Sequence, residues 1–408
     1  MKRTLITNIG MLATPQGTAA RGGRAQGEIC ILKNAWILIE NDVIAQVGTG
    51  AAPAAADAQT INAGGKLVTP GLVDAHTHLI FGGWRQNELA LKLHGAGYLD
   101  ILAAGGGILS TMRATQSASE EQLEAKASAA LDEMLRFGTT TAEAKSGYGL
   151  STGEECKALR VIGKLQKHHV MDLAATFMGA HAVPEAYRDN RQGYLELLCE
   201  EMLPAVREQG IAEFCDVFCE KGVFSAEESR RILLTGRQHG LRPKIHADEI
   251  EAIGGSELAG EIGAVSAEHL IVCPPSGIAS MARGGTVACC LPATSFYLGA
   301  AYAPVQDMVQ AGVPVAMATD FNPGSCPCLN MQLVISLGCL RYRLTPEQAL
   351  TAVTLNGAAA ICRADRIGSI EPGKQADILI WNAEDLDYIC YRLGSNLVDT
   401  VIKKGNVV

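Results

Sequence analysis

Val73-Asp74-Ala75-His76-Thr77-His78 closes the first of eight short apolar runs in the middle of this chain. Residues two apart in an extended segment project to the same side, so the imidazoles of His76 and His78 converge. The runs fall at 72–76, 139–143, 172–178, 213–218, 241–246, 264–269, 285–291 and 313–318, and helical patterns fill most of the gaps. The clearest helix is expected from Glu120 to Phe137, where Leu123, Ala127, Ala130, Leu131, Met134 and Leu135 recur at spacings of three and four before Gly138 stops it. Strands alternating with helices imply a parallel sheet. Eight such units in roughly 290 residues fit an α/β fold closed into a (β/α)8 TIM-like barrel better than an open doubly wound sheet. Functional residues are then expected at the C-terminal ends of the strands.

Outside the barrel the pattern changes. Ala35–Ile39 and Val43–Val47 read as short strands around the turn Glu40-Asn41-Asp42. Near the other end, Asp377–Trp381 and Thr400–Asn406 alternate as half-buried strands do. The two ends are therefore expected to pair into one small β domain, built from 1–65 and 361–408, with the barrel spanning 66–360.

Composition narrows the class. Of 408 residues, 48% are hydrophobic and 19% charged, enough apolar material for a large core and too little charge for a disordered chain. Asp and Glu (43) outnumber Lys and Arg (34), the net charge is -9, and no run of five basic residues exists, so neither nucleic acid nor an anionic membrane is an expected partner. No run approaches the roughly 18 apolar residues of a membrane span. Thr4, Thr7 and Asn8 interrupt the stretch that a signal peptide would need. The 13 cysteines are odd in number and irregularly spaced, which reads as reduced thiols in a cytoplasmic protein.

The chemistry-bearing residues gather at the expected strand ends. Besides His76 and His78, the fifth run ends in Lys244-Ile245-His246-Ala247-Asp248-Glu249, the sixth in Ala267-Glu268-His269 and the eighth in Ala318-Thr319-Asp320. Any one histidine alone reads as a satisfied core or surface residue, but several of only nine at one end of a barrel, beside an aspartate, read as a metal site. His76, His78, His246 and Asp320 supply three nitrogens and one oxygen, a set suited to zinc or iron rather than magnesium or calcium. Such an ion brings the pKa of a bound water to about 7. Asp320 is the expected general base, His269 is expected to orient the nucleophile or stabilise an oxyanion, and Glu249 to move protons to a leaving nitrogen.

With its Pro70–His78 opening, the later histidines and aspartate and the split β domain, the chain resembles the metal-dependent amidohydrolase superfamily over nearly its whole length. A narrower likeness lies in Phe81-Gly82-Gly83-Trp84-Arg85, Gly105-Gly106-Gly107-Ile108, Lys145-Ser146-Gly147-Tyr148-Gly149-Leu150, Gly179-Ala180-His181, His246–Glu249 and Asp320-Phe321-Asn322-Pro323-Gly324-Ser325. These motifs are similar to those of the branch that opens 4-imidazolone-5-propanoate to N-formimidoyl-L-glutamate in histidine breakdown. The resemblance implies one zinc or iron ion per subunit, a small-molecule substrate held by Arg85, Tyr148, His181 and Glu249, and a product region lined by Asn322, Gly324 and Ser325. A homodimer is expected by analogy with other barrels. The residue types suit the substrate: its propionate is an anion, Arg85 offers a planar two-pronged donor, and Tyr148 and His181 are expected to add neutral donors.

Weaker signals are set aside. Gly368–Lys374 nearly matches a phosphate loop, but Gln375 replaces the required Ser or Thr and an apparent strand follows. Cys289-Cys290 and Cys326-Pro327-Cys328 lack the spacing of a zinc knuckle. Lys145 is left without a role, although two-metal relatives use a carboxylated lysine as a bridge. The competing readings are a cytosine or guanine deaminase on the same framework, which has little use for Arg85, and a non-catalytic interaction protein, which has no need of the four ligands.

Overall fold

The computed structural model describes residues 2–54, 57–95 and 106–408. Among the described residues, five strands precede the barrel: β1 (Arg3–Thr14), β2 (Cys30–Glu40), β3 (Val43–Thr49), β4 (Gln59–Asn62) and β5 (Leu67–Pro70). The barrel strands are β6 (Leu72–Asp74), β7 (Thr139–Lys145), β8 (Asp172–Ala180), β9 (Phe214–Cys219), β10 (Arg242–Ala247), β11 (Ser266–His269), β12 (Val287–Cys290) and β13 (Val315–Met317). Three strands follow: β14 (Ile378–Trp381), β15 (Val398–Lys403) and β16 (Asn406–Val407).

Each of the eight apolar runs becomes a barrel strand, and each strand from β6 to β13 pairs in parallel with the next. β7 is buried at every position, as a strand covered on both faces must be. Closure runs between the residues just past β6 and β13. Thr77 bridges Phe321 in parallel, Asp320 N donates to His76 O at 3.0 Å, and His78 N donates to Phe321 O at 2.9 Å. Asp74 reinforces the seam by accepting from Thr319 N (3.0 Å) and Thr319 Oγ1 (2.6 Å). The eighth strand ends at Met317, so Asp320 lies three residues beyond it, in the closing loop rather than on the strand.

The helix expected at 120–137 spans Glu120–Arg136 with Phe137 as its C-cap. Ser119 Oγ accepts from Gln122 N (3.3 Å) and Gln122 Oε1 accepts from Ser119 N (3.0 Å), a reciprocal capping box. Leu123, Ala127, Leu131 and Met134 form its buried face, and Gly138 at φ 94 supplies the left-handed exit.

The chain ends do meet in a second sheet. Its order is β16-β15-β14-β5-β1-β2-β3, with β4 on β1, and the antiparallel pairing of Ile378–Ile380 with Val68–Pro70 joins the N- and C-terminal parts. This sheet includes β5, beyond the division expected at 65/66; we propose that the units separate between β5 and β6. The single strand expected over Thr400–Asn406 is a hairpin instead. Lys404 and Gly405 take φ 50 and 71, the paired left-handed residues of a tight turn. The phosphate-loop mimic is a turn leading into β14, with Lys374 Nζ committed to Gly17 O (2.6 Å) and Ala364 O (2.7 Å). All 13 cysteines are free. Among the described residues, no helix is long and apolar enough to cross a membrane.

Candidate metal centre and substrate pocket

His76 and His78 leave β6 with their ring centroids 5.3 Å apart, and closure of the barrel carries Asp320 to the same point. Asp320 Oδ1 lies 3.4 Å from His76 Nε2 and 3.5 Å from His78 Nε2, while His246 Nε2, at the end of β10, lies 3.3 Å from His78 Nε2. Donors 2.0–2.1 Å from a tetrahedral cation stand about 3.3–3.4 Å from one another, so the spacing fits a zinc-type ion.

The hydrogen bonds on the far side of the rings decide what the Nε2 atoms offer. His76 Nδ1 meets Glu268 Oε2 at 2.9 Å and His246 Nδ1 meets Asp216 Oδ1 at 3.1 Å. A carboxylate only accepts, so each Nδ1 carries the proton and each Nε2 turns a lone pair inward. His76 Nε2 is buried without a hydrogen-bond partner. Burial, followed by Lys145 and neighbouring imidazoles for His76 and by His181 and His246 for His78, holds both well below the usual imidazole range, so they are neutral at pH 7. Lone pairs and a carboxylate oxygen facing one another at such distances repel unless a cation lies between them. These residues fit a metal ion.

Beneath the centre lies a layer that the sequence reading did not assign. Asp216 Oδ2 pairs with Lys145 Nζ (2.7 Å), Lys145 with Glu143 Oε2 (2.8 Å), Glu143 Oε1 with Lys244 Nζ (2.9 Å), and Lys244 with Glu268 Oε1 (3.4 Å). All five side chains have 0% exposure. Burial works against these charges, yet Asp216 and Glu143 hold Lys145 above the usual lysine range. Lys145 is thus occupied by two carboxylates. The available signal was a lone charge inside an otherwise apolar strand, as in Phe214-Cys215-Asp216-Val217 or Pro243-Lys244-Ile245, because such a charge must find a buried partner.

His269 faces the same centre, its ring centroid 5.7 Å from that of His76 and 5.2 Å from that of His246, and ligand atoms of these three histidines all lie within 4.8 Å of one another. Its Nε2 is 3.7 Å from Glu249 Oε2. Burial lowers the His269 pKa to about 3 and raises that of Glu249 to about 7. Thr294 Oγ1 donates to Asp320 Oδ2 at 2.7 Å, a contact the sequence did not announce. His269 and Asp320 adopt φ 67 and 57. Non-glycine residues in this region carry strain that the surrounding structure must sustain.

Three loops bring the expected substrate residues to the mouth. Arg85 Nε donates to both carboxylate oxygens of Glu88 at 3.1 Å, and Glu88 Oε1 also accepts from Gly107 N at 2.7 Å. Gly105, in the same glycine motif, lies outside the described residues. The Arg85 guanidinium rests on Gly324, where an added Cβ would collide with it. Tyr148 sits on a loop held by Glu155, which accepts from Gly147 N (2.9 Å), Gly149 N (2.7 Å) and Leu150 N (2.8 Å). Burial raises the Tyr148 pKa, so its hydroxyl keeps its proton.

Two expectations change. His181 stacks on His78 at 4.7 Å between centroids, and its Nδ1 contacts Gly147 O at 3.0 Å. A carbonyl only accepts, so in the neutral ring Nε2 is an acceptor, not the donor that was expected. Asn322 is spent inside its own loop: its Oδ1 accepts from Gly324 N (2.8 Å) and Ser325 N (2.7 Å), and its Nδ2 donates to Asp320 O (2.7 Å) and Ser325 Oγ (2.9 Å). Asn322 therefore shapes the loop that carries Asp320.

A closed barrel with this donor set at its mouth defines a metal-dependent hydrolase framework, and the amidohydrolase family model matches residues 67–408. The chain belongs to the amidohydrolase family. Along its whole length it is similar to imidazolonepropionases: that of Alkaliphilus metalliredigens is 50% identical over 414 residues (100% of this chain, 98% of the relative), and that of Bacillus cereus strain G9842 is 48% identical over 410 residues (100% and 97%). Among solved structures, an adenosine deaminase from Xanthomonas campestris with bound zinc superposes with a TM-score of 0.71 at 21% identity, covering 99% of this chain and 92% of the other, which shows the shared fold.

Proposed function

We propose that this chain hydrolyses 4-imidazolone-5-propanoate to N-formimidoyl-L-glutamate, with one zinc or iron ion per subunit held by His76, His78, His246 and Asp320. The observation that carries the reading is the approach of Asp320 Oδ1 to His76 Nε2 (3.4 Å) and His78 Nε2 (3.5 Å), with His246 Nε2 3.3 Å from His78 Nε2. An ion held by these four side chains would supply Lewis acidity near neutral pH.

The protein's own groups do the remainder. Arg85, steadied by Glu88 and Gly324, binds the propionate through a two-pronged hydrogen bond. The hydroxyl of Tyr148 donates to the substrate, and His181 Nε2 accepts from a ring N–H. Asp320 takes the proton of the attacking water while Thr294 fixes its other oxygen. His269 orients the nucleophile or stabilises the oxyanion. Glu249, a half-buried carboxyl that keeps its proton to about pH 7, delivers it to the ring nitrogen as the C–N bond of the cyclic amide breaks. Gly324 and Ser325 line the space left for the product, and Asn322 keeps that loop in shape. The reading extends to a cytoplasmic homodimer acting on a small metabolite, with free thiols.

The direct test follows the ultraviolet absorbance of 4-imidazolone-5-propanoate. Turnover is expected with metal-loaded protein, loss of turnover after chelation, and recovery when zinc or iron is restored. Metal-loaded protein that leaves this compound intact but releases ammonia from cytosine or guanine overturns the assignment in favour of a deaminase.

A further inference from the structure

We propose that the buried series Glu268–Lys244–Glu143–Lys145–Asp216 acts as one positioning unit for the imidazoles at its ends, His76 and His246, so that Glu143 tunes metal affinity without touching either ring. The proposal rests on the metal-centre reading above.

Each carboxylate in the series divides its two oxygens between two neighbours. Glu268 gives Oε2 to His76 and turns Oε1 to Lys244, Glu143 gives one oxygen to each lysine, and Asp216 gives Oδ2 to Lys145 and Oδ1 to His246. The five residues come from β7, β9, β10 and β11, and strand alternation explains their shared layer. Glu143 and Lys145 are two apart on β7, as are Lys244 and His246 on β10.

Three carboxylates against two ammonium groups leave one negative charge in excess, sealed from water. In such an environment charges are poorly screened and hydrogen bonds polarise one another. The excess charge strengthens the Nδ1–H donation of His76 and His246 and makes their Nε2 atoms better donors to a cation. Neutralising Glu143 abolishes the excess. Each lysine is then left with one carboxylate, Asp216 or Glu268, and draws it away from the imidazole that it anchors. The Glu143 carboxylate itself meets Lys145, Lys244 and Thr176 Oγ1 (2.5 Å).

The experiment titrates metal-stripped, full-length protein with zinc against a chromogenic chelator and records the visible spectrum of the cobalt(II) form. Wild type, Glu143→Gln and Thr176→Val are compared, with urea unfolding of each metal-free chain alongside. Glu143→Gln is expected to weaken zinc binding about 10–100-fold and to shift the cobalt bands. Thr176→Val, which keeps the charge but loosens the carboxylate, is expected to weaken binding by about threefold. Unchanged zinc affinity and cobalt spectrum in a folded Glu143→Gln chain, whatever its stability, overturn the positioning unit. If that chain does not fold, unchanged affinity in Thr176→Val does so. Wild type that binds neither ion overturns the metal-centre reading itself.

Discussion

Beneath His76 and His246 five charged side chains pair with one another, whereas at the mouth the loops carrying Arg85, Tyr148 and Asn322 are held mainly through backbone N–H groups. Glu88 and Glu155 accept from Gly107, Gly147, Gly149 and Leu150, and Asn322 accepts from Gly324 and Ser325. The lower layer sits on strands whose register sets every spacing. The loops have no ladder to position them, so side chains replace it. Substitutions in the lower layer are therefore expected to act on the metal, and substitutions in the loops on the grip on substrate.

The largest effect is expected at Asp320, which lies in a mouth loop yet faces the proposed metal ligands His76 and His78. Asp320→Asn should lower kcat by about a thousandfold or more even in the fraction of protein that still holds metal. Near-normal turnover per bound metal ion would remove its role as base.

On the loop side, Gly324→Ala places a methyl group where the Arg85 guanidinium lies, and Arg85→Lys removes the planar fork. The first should raise KM by about a hundredfold and the second by about tenfold, with the metal content of both unchanged. Steady-state kinetics with metal analysis check this. Loss of metal in either variant would erase the division between the two regions.

The smallest effect concerns pH. Burial raises the Glu249 pKa from 4.5 to about 7, so in the folded protein the carboxyl is protonated below about pH 7 and loses its proton above it. If it is the acid, kcat should decline as pH rises through about 7, and Glu249→Gln should lower kcat and abolish that decline. A decline that persists unaltered in Glu249→Gln would assign it to another group.

Much of this was legible because barrel strands are buried on both faces and so are written as continuous apolar runs. All eight were readable, and His76, His78, His246 and Asp320 stood at or just past their ends. The hairpin at Lys404-Gly405 was missed because a two-residue turn scarcely interrupts a polar and apolar alternation. The donor expected of His181 became an acceptor because the tautomer depends on the Gly147 carbonyl, 34 residues away. Asn322, read as lining the product region, turned out to be consumed by neighbours no more than four residues distant.

What the amino-acid order determined by itself was periodic and local: the strands, the capped helix at Ser119 and the chemistry each site residue brings. Only the tertiary structure decided which of those residues share a centre, and which lone charges in Glu143, Lys145, Asp216, Lys244 and Glu268 answer one another. The physical reason is that periodicity reports which way a side chain faces, while pairing depends on strand register and barrel closure. Both are settled by contacts between residues as far apart as His76 and Asp320.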